Sequence, residues 1–444
     1  MRCRHLVVLA AASLVVAAAA LAGLASAGPV DVVEGSPRCG SEAPPAGVTS
    51  TGTAVPGRVR VASFNVLHGL EDDGEETLEA RLPLAADAIV GADADVVGLQ
   101  ETTLTANHGD VTRRLAQALA ARTGRTWAWC RFQSDPHFPG EADLAGGGEG
   151  GPLTAAMAAN FRSGEAEWRE MTAIVSRHPI VASLARRLPP RTYEASLCVP
   201  PDPTCALDAG VNSRVALWAR VGTPAGLVDV VDTHLSHDLS AASETTKLLQ
   251  AQSVLAFTDQ LATPDELPDF VLGDFNSTEG SPAHAAVTGA GFRDSFRVAH
   301  PGAPGLTADQ ELRDAANTVT TRIDYVFVRP GACGLDVTTS EVFPPSATVV
   351  AGQPLWPSDH YGVVSEVRCP AGAATDPETL ADSSGGATAS GGPGSLPATG
   401  GWGGPTLALA LLLPMLARRW RRQMPARRAT TGARASTLPP SKTK

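Results

Sequence analysis

The sequence predicts an α/β domain between Arg58 and Cys369, in which strands alternate with helices. Three stretches indicate this class. Residues 59–66 alternate apolar and polar side chains, as a half-buried strand does. Residues 78–89 then carry apolar residues at helical spacing, and residues 95–101 form a short apolar run that ends in an acid. A domain of this size can enclose a substantial hydrophobic core.

The same alternation continues along the chain. Helical spacing at residues 111–122 and 241–261 predicts two further helices. Strand patterns lie at residues 127–131, 171–176, 215–221, 227–232, 271–272, 322–328 and 361–367, and the stretch Thr223–Gly226 suggests a hairpin. Residues 134–169 hold three consecutive glycines and few large apolar residues. We expect them to form a long surface loop of the kind that often selects substrates.

Both ends of the chain differ from this domain in composition. Residues 1–27 have two early arginines, an apolar run and an Ala-Ser-Ala cleavage site, which indicates a secretory signal peptide. Residues 28–57, rich in Pro, Gly, Ser and Thr, suggest a flexible lead-in arm. Residues 370–395 suggest a flexible linker.

The last segment, residues 396–444, carries Leu-Pro-Ala-Thr-Gly, an apolar run and a cluster of arginines. This order resembles the sorting signal of cell-wall-anchored surface proteins, which sortase cuts between the positions matched by Thr399 and Gly400. The resemblance implies an exported protein that is displayed at the cell surface and has sortase as a partner. A C-terminal helix that stays in the membrane is the alternative.

Charge and cysteines bound the function further. The two ends carry eleven bases and no acid, so the part between them has 24 bases against 46 acids. Such an acidic body is poorly suited to holding duplex nucleic acid by backbone charge alone, and suits divalent cations. Six cysteines remain once the signal is removed, an even number that favours disulfides in an exported protein. We expect the pairs Cys39–Cys130 and Cys333–Cys369, while Cys198 and Cys205 bracket a proline-rich loop.

Eight polar residues share one setting, at or just beyond the end of a buried apolar strand: Asn65, Glu101, His234, Asp274, Asn276, Asp324, Asp359 and His360. Strands of one sheet that end together would place these side chains in one cleft. Each residue alone has an ordinary structural interpretation, such as an Asx turn or a core histidine. Eight in the same setting indicate a site.

The motifs that carry these residues are Ser63-Phe64-Asn65, Leu99-Gln100-Glu101, Asp232-Thr233-His234-Leu235, Gly273-Asp274-Phe275-Asn276, Arg322-Ile323-Asp324-Tyr325 and Ser358-Asp359-His360-Tyr361. In this order they resemble the endonuclease/exonuclease/phosphatase family. That family includes deoxyribonuclease I, abasic-site endonucleases, neutral sphingomyelinases and inositol polyphosphate 5-phosphatases. The resemblance implies a four-layer α/β sandwich of two packed, mostly antiparallel sheets with helices outside. It also implies phosphoester hydrolysis assisted by a divalent cation, usually Mg²⁺, with Mn²⁺ or Ca²⁺ as alternatives.

Roles follow from the same motif positions. The resemblance implies that Glu101 is the main metal ligand, with Asn65 and Asp359 nearby, which suits the few carboxylates that Mg²⁺ takes. It implies that Asp274 orients or deprotonates the attacking water, that Asn276 holds a phosphate oxygen, that Asp324 fixes His360, and that His234 stabilises the phosphate or the leaving oxygen. The general base stays open between Asp274 and His360. Arg177 and Arg214 are further candidates for phosphate contact.

The leading hypothesis is therefore a monomeric, exported, surface-anchored and metal-dependent phosphodiesterase, such as an extracellular nuclease. A phospholipid or sphingomyelin phosphodiesterase and an inositol-phosphate-type phosphatase are alternatives within the class, so the partner is nucleic acid or a phospholipid head group. A catalytically inactive surface module that binds a ligand is the alternative from another class.

Overall fold

The structure, a computed structural model, describes residues 34–50, 55–68, 78–105, 108–135, 169–189, 213–237, 241–261 and 268–368, apart from residues 314, 317, 332–333, 335 and 344. All of them belong to the first of two compact units, residues 1–383. No helix of these described stretches is both long and apolar enough to cross a membrane.

The strands are β1 (Glu34–Gly35), β2 (Arg38–Glu42), β3 (Arg58–Asn65), β4 (Val96–Thr105), β5 (Gly109–Asp110), β6 (Trp127–Asp135), β7 (Arg169–Ser176), β8 (Ile180–Arg187), β9 (Val215–Thr223), β10 (Gly226–His234), β11 (Asp269–Asp274), β12 (Arg293–Asp294), β13 (Asp324–Arg329), β14 (Asp336–Phe343), β15 (Thr348–Val350), β16 (Gln353–Leu355) and β17 (Gly362–Arg368). The helices are α1 (Leu78–Gly91), α2 (Val111–Thr123), α3 (Ala241–Leu261), α4 (Pro282–Gly289) and α5 (Ser295–Ala299).

Two large sheets organise these elements. The first sheet has the order β1-β8-β9-β10-β11-β13-β12, and the second has the order β14-β17-β3-β4-β7-β6-β2, with β5 paired to β4. Most neighbours are antiparallel, but β10 pairs with β11 and β3 pairs with β4 in parallel. The parallel pairs matter for function because their strands end at the same edge.

Three hydrophobic clusters place the layers. The largest lies between the two sheets and joins side chains such as Val61 and Val96 of the second sheet to Val230 and Leu272 of the first. A second cluster packs the outer face of the second sheet against α1 and α2, and a third packs the outer face of the first sheet against α3 and α4. The order helix, sheet, sheet, helix is the four-layer α/β sandwich that the sequence predicted.

Gly98 on β4 packs closely against side chains of the opposite sheet. A Cβ built there would lie 2.0 Å from Leu272 Cδ1 and 2.7 Å from Asp232 Cγ on the opposite sheet. Real Cβ atoms do not approach so closely, so a side chain at this position would require the Leu272 and Asp232 side chains to move. The glycine therefore leaves room for these two side chains against β4, three residues before Glu101.

The predicted helices and the hairpin of β9 and β10 are confirmed, within a residue or two at their ends. The arm predicted for residues 28–57 needs a correction. Residues 38–42 form β2, which pairs with β6 at the edge of the second sheet. Backbone hydrogen bonds form this short edge strand, and its polar composition gives no strand pattern. The predicted disulfide Cys39–Cys130 joins the same two strands and is confirmed.

Several predictions lie outside the described residues. They are the signal peptide, the linker and sorting signal, the Cys333–Cys369 pair, the Cys198–Cys205 loop and residues 136–168 of the predicted surface loop.

Candidate active site

Strand ends bring the predicted residues together. His234 ends β10, Asp274 ends β11, and the two are register partners in the parallel pair. Asp324 begins β13 directly opposite Asp274. In the second sheet Asn65 ends β3 and pairs with Gln100, next to Glu101. Both sheets therefore deliver polar side chains to the same edge of the sandwich.

Local backbone geometry aims two of these side chains. The register between β4 and β7 shifts between Leu99 and Thr102, so two residues oppose one, and Glu101 within this bulge has φ 60°. A bulge re-aims a side chain that regular pleating would send elsewhere. Asn276 has φ 47°, and its backbone N–H donates to Asp274 Oδ1 at 2.8 Å, which forms the Asx turn.

Gly273 makes the approach of β11 to β10 possible. It has φ 141°, and a Cβ there would lie 1.8 Å from the carbonyl oxygen of Thr233. Only glycine combines this conformation with this contact. The Gly-Asp-Phe-Asn motif thus begins with a residue whose absent side chain lets Asp274 sit beside His234.

Glu101 lies at the centre of the cluster. Its Oε1 accepts from Asn65 Nδ2 at 2.9 Å, its Oε2 accepts from the backbone N–H of His68 at 3.1 Å, and His234 Nε2 lies 4.0 Å from Oε1. Burial alone would raise the pKa of Glu101, but the His68 and His234 rings and the Asn65 amide outweigh it and hold the pKa well below its usual range. The carboxylate is therefore ionised at neutral pH.

Asn65 bridges the two sheets. Its Nδ2 also donates to Asp274 Oδ2 at 3.1 Å, and its Oδ1 accepts from the backbone N–H of Leu67 at 3.0 Å. The sequence predicted Asn65 beside the metal as a ligand. In this geometry its amide nitrogen faces the carboxylates and its oxygen is engaged elsewhere, so Asn65 orients Glu101 and Asp274.

Asp324 and His360 form a hydrogen-bonded pair. His360 Nδ1 lies 2.9 Å from Asp324 Oδ2, and its Nε2 points toward Asp274 Oδ2 at 3.7 Å. Burial would lower the pKa of His360, but Asp324 and Asp359 raise it well above its usual value. Burial raises the pKa of Asp324 to about 6. The negative charge of Asp324 thus favours the protonated form of the His360 ring.

His234 has a comparable partner that the sequence analysis missed. Its Nδ1 lies 3.6 Å from Glu170 Oε1 of β7 and 3.0 Å from Arg214 Nη1, which also donates to Glu170 at 2.9 Å. Its Nε2 lies 3.6 Å from Asp274 Oδ2 and 3.0 Å from Asn276 Nδ2. Glu170 gives no sequence signal of its own because it stands near the start of its strand and meets His234 only through the sheet packing.

Of the three remaining predicted residues, Asp359 and Arg214 reach the cluster and Arg177 does not. Asp359 borders the cluster, with Oδ1 3.9 Å from His360 Nε2, and Arg214 reaches it through His234. Arg177 does not. It follows β7 and binds Asp93 at 2.7 Å and Asp95 at 2.5 Å, beside the start of β4, whereas Glu101 lies in the later part of that strand. The structure thus removes Arg177 from the site, because the turn after β7 lies at the opposite edge of the sheet.

The donor set fits a hard divalent cation. Two groups of three side chains have ligand atoms within 4.8 Å of one another: Glu101, His234 and Asp274, and Asp274, Asp324 and His360. Asp324 Oδ1 is buried and has no hydrogen-bond partner among the described residues. Carboxylate oxygens are the donors that Mg²⁺, Mn²⁺ and Ca²⁺ prefer. Asp359, predicted as a nearby ligand, belongs to neither group.

A buried carboxyl group, that of Asp232, lies beside Gln100 next to the site. Asp232 on β10 is fully buried, with Oδ1 accepting from Gln100 Nε2 at 2.6 Å. Its Oδ2 has no hydrogen-bond partner within the described part of the chain. Burial raises the pKa of Asp232 well above its usual value.

Replacing Asp232 by Asn is expected to stabilise the protein at pH 8. A raised folded-state pKa gives stability that is complete below the unfolded pKa and is lost as pH rises toward the folded value, at about 1.4 kcal/mol per pH unit. Asparagine stays neutral and avoids this loss. Urea unfolding of both proteins at pH 8 and pH 4 checks it, and a stability difference that does not shrink at pH 4 would contradict the assignment.

Comparison with known proteins agrees with this geometry. The model of the endonuclease/exonuclease/phosphatase family matches residues 62–360. No curated protein sequence matches the chain. A solved structure of a family protein from Bacteroides thetaiotaomicron has 20% identity and a TM-score of 0.50, covering 72% of this chain and 98% of that one.

Two other solved structures are similar to the chain. A family protein from Beutenbergia cavernae DSM 12333 has 24% identity and a TM-score of 0.48, over 70% of this chain and 72% of that one. A mannosyl-6-phosphatase from Bacteroides thetaiotaomicron VPI-5482 has 20% identity and a TM-score of 0.49, over 70% and 99%. The family match spans both ends of the cluster described above, from β3 to His360. The chain therefore belongs to the endonuclease/exonuclease/phosphatase family, whose members hydrolyse phosphoesters.

Proposed function

We propose that this protein is a divalent-metal-dependent phosphodiesterase that works outside the cytoplasm, anchored at the cell surface. The observation that carries the proposal is the convergence of Glu101, Asp274 and His360 at one edge of the sandwich, each with a partner that fixes it. A divalent cation held by Glu101, with Asp359 and Asp274 at its border, would act as a Lewis acid on a phosphate oxygen.

Asp274 is suited to accept the proton of the attacking water. Its Oδ1 is engaged by the N–H of Asn276, and its Oδ2 faces Asn65, His234 and His360. These contacts fix the carboxylate in one orientation, which a general base requires. Asp324 engages Nδ1 of His360, and the charges of Asp324 and Asp359 raise the pKa of the ring, so His360 is suited to donate rather than to accept. We therefore propose Asp274 as the general base, the role that the sequence left open between Asp274 and His360.

Both histidines direct Nε2 toward the same oxygen of Asp274, Oδ2. His360 Nε2 can donate to a phosphate oxygen while Asp324 holds its other nitrogen. His234 is held by Glu170 and Arg214 at Nδ1, and its Nε2 is directed toward Asp274 and Asn276. We assign to His234 and Asn276 the contact with the phosphate or the leaving oxygen.

Two features favour a diester and an extracellular setting. The centre of the site is mainly acidic, with Glu101, Asp274, Asp324 and Asp359, so a monoanionic diester meets less repulsion there than a dianionic monoester. The disulfide Cys39–Cys130 is typical of an oxidising compartment. The signal peptide and the sorting signal that we predict from the sequence support export and anchoring.

A panel of substrates tests the proposal. The full chain with Mg²⁺ is incubated with plasmid DNA, RNA, sphingomyelin, bis-p-nitrophenyl phosphate and p-nitrophenyl phosphate. We expect cleavage of bis-p-nitrophenyl phosphate and of one natural diester, without release of free phosphate. Preferred cleavage of the monoester would point to a phosphatase, and intact substrates throughout would favour the inactive binding module.

A further inference from the structure

A buried arginine lies beneath the candidate active site. Arg81, in the first turn of α1, is 1% exposed. Its Nη1 donates to the carbonyl oxygens of Val66 at 2.9 Å, Leu67 at 3.2 Å and Pro357 at 3.0 Å, and its Nη2 donates to that of His68 at 3.2 Å. One guanidinium therefore binds four backbone carbonyls.

These carbonyls belong to two segments far apart in sequence. Residues 66–68, the first segment, follow Asn65 directly, and the N–H of His68 donates to Glu101 Oε2. Residues 357–360, the second segment, carry Asp359 and His360. Ser358 Oγ adds a second tie, donating to the carbonyl of Asn65 at 2.6 Å. Arg81 thus lies at the junction of two segments, one that donates to Glu101 and one that carries Asp359 and His360.

The charge of Arg81 also faces the site. Burial lowers its pKa to about 10, which leaves it cationic at neutral pH, and Asp359 and Glu101 act on it through their negative charges. Two effects on a bound divalent cation then oppose each other. The positive charge repels the cation, whereas the hydrogen bonds fix the segments that carry its ligands.

We propose that Arg81 is a positioning residue, which joins residues 66–68 to residues 357–360 and so fixes the arrangement of Glu101, Asp359 and His360 before a metal binds. The effect on metal affinity rests on the proposed function, while the tie between the segments does not. Arginine suits this task because its planar fork spreads several donors over two segments. A lysine offers the same charge from a single point.

The variant Arg81→Lys in the full chain separates the fork from the charge. Amide hydrogen exchange of the metal-free protein tests the tie, and calorimetric titration with Mg²⁺ tests the affinity. We expect faster exchange of the amides of residues 66–68 and 358–360 together, since Pro357 has no amide hydrogen. We also expect Mg²⁺ affinity to fall by about tenfold, the usual order for a lost partner of a metal ligand, with activity returning toward wild type at saturating Mg²⁺.

Arg131→Lys is the matched control. Arg131 is also 1% exposed, and it binds Asp110 at 2.8 Å through Nε. This variant is expected to change neither the exchange of the two segments nor Mg²⁺ affinity. Unchanged exchange in both segments of Arg81→Lys would overturn the proposal. Tighter Mg²⁺ binding by a folded Arg81→Met would also overturn it, because charge repulsion would then exceed positioning.

These measurements test the positioning role of Arg81 and the metal-dependent function independently of each other. A wild-type protein that binds no Mg²⁺, in which Arg81→Lys still speeds exchange in both segments, would support the tie and contradict the metal-dependent function. A wild-type protein that binds Mg²⁺ with unchanged affinity in Arg81→Lys would support that function and contradict the positioning role.

Discussion

Replacing Asp274 by Asn is expected to lower kcat/KM for a phosphodiester by about 10³-fold, within the range for loss of a general base. The amide is nearly isosteric, so its oxygen can keep the contact with the N–H of Asn276, but it cannot take a proton from water. Because Asp274 Oδ2 faces Asn65, His234 and His360, the substitution removes the negative charge that both histidines share.

Initial rates on bis-p-nitrophenyl phosphate at saturating Mg²⁺ check this effect. Asp259→Asn is the control, since Asp259 is an exposed partner of Arg329 at the end of α3. It is expected to leave the rate unchanged. A rate for Asp274→Asn within a few fold of wild type would move the role of base to another group, of which His360 is the first to test.

Replacing Glu101 by Gln is expected to weaken Mg²⁺ binding by more than about 100-fold, since loss of an outer partner alone costs 10- to 100-fold. The pKa of Glu101 lies well below its usual range because the site holds it as a carboxylate. Glutamine keeps the shape and one oxygen but loses the charge that attracts the cation. Activity at low Mg²⁺ should fall in parallel.

Calorimetry with Mg²⁺ and the Mg²⁺ dependence of the rate measure this effect. Glu366→Gln is a matched control, because Glu366 is a buried glutamate of β17 that pairs with Arg60 away from the site. Equal Mg²⁺ affinities for wild type and Glu101→Gln would show that the cation binds elsewhere.

The strand pattern predicted much of the fold and the site because local periodicity reports local structure. Buried strands that end in polar residues are visible in the chain, and the packing of two sheets brings their ends together. The structure brings Glu101, His234, Asp274 and His360 close together, while their catalytic and metal-binding roles stay predictions. Their distances and partners came only from the structure.

What the sequence could not predict depends on contacts between distant segments. Glu170 reaches His234 across the sheets, and Arg81 reaches Pro357, which lies 276 residues later in the chain. Neither residue stands in a motif of its own. The sequence also suggested a contact that the structure does not contain. Arg177 was predicted to contact the phosphate because it stands beside a strand end, but that end of β7 lies at the edge of the sheet opposite the site. Edge strand β2 was missed because edge strands need no apolar pattern.

The most direct test of the account is hydrolysis of bis-p-nitrophenyl phosphate by the wild-type full chain, first with EDTA and then after Mg²⁺ is restored. The account predicts that chelation stops the reaction and that Mg²⁺ restores it, because acids at the strand ends hold the cation that the reaction needs. Hydrolysis that continues undiminished in EDTA would contradict a metal-dependent site at Glu101.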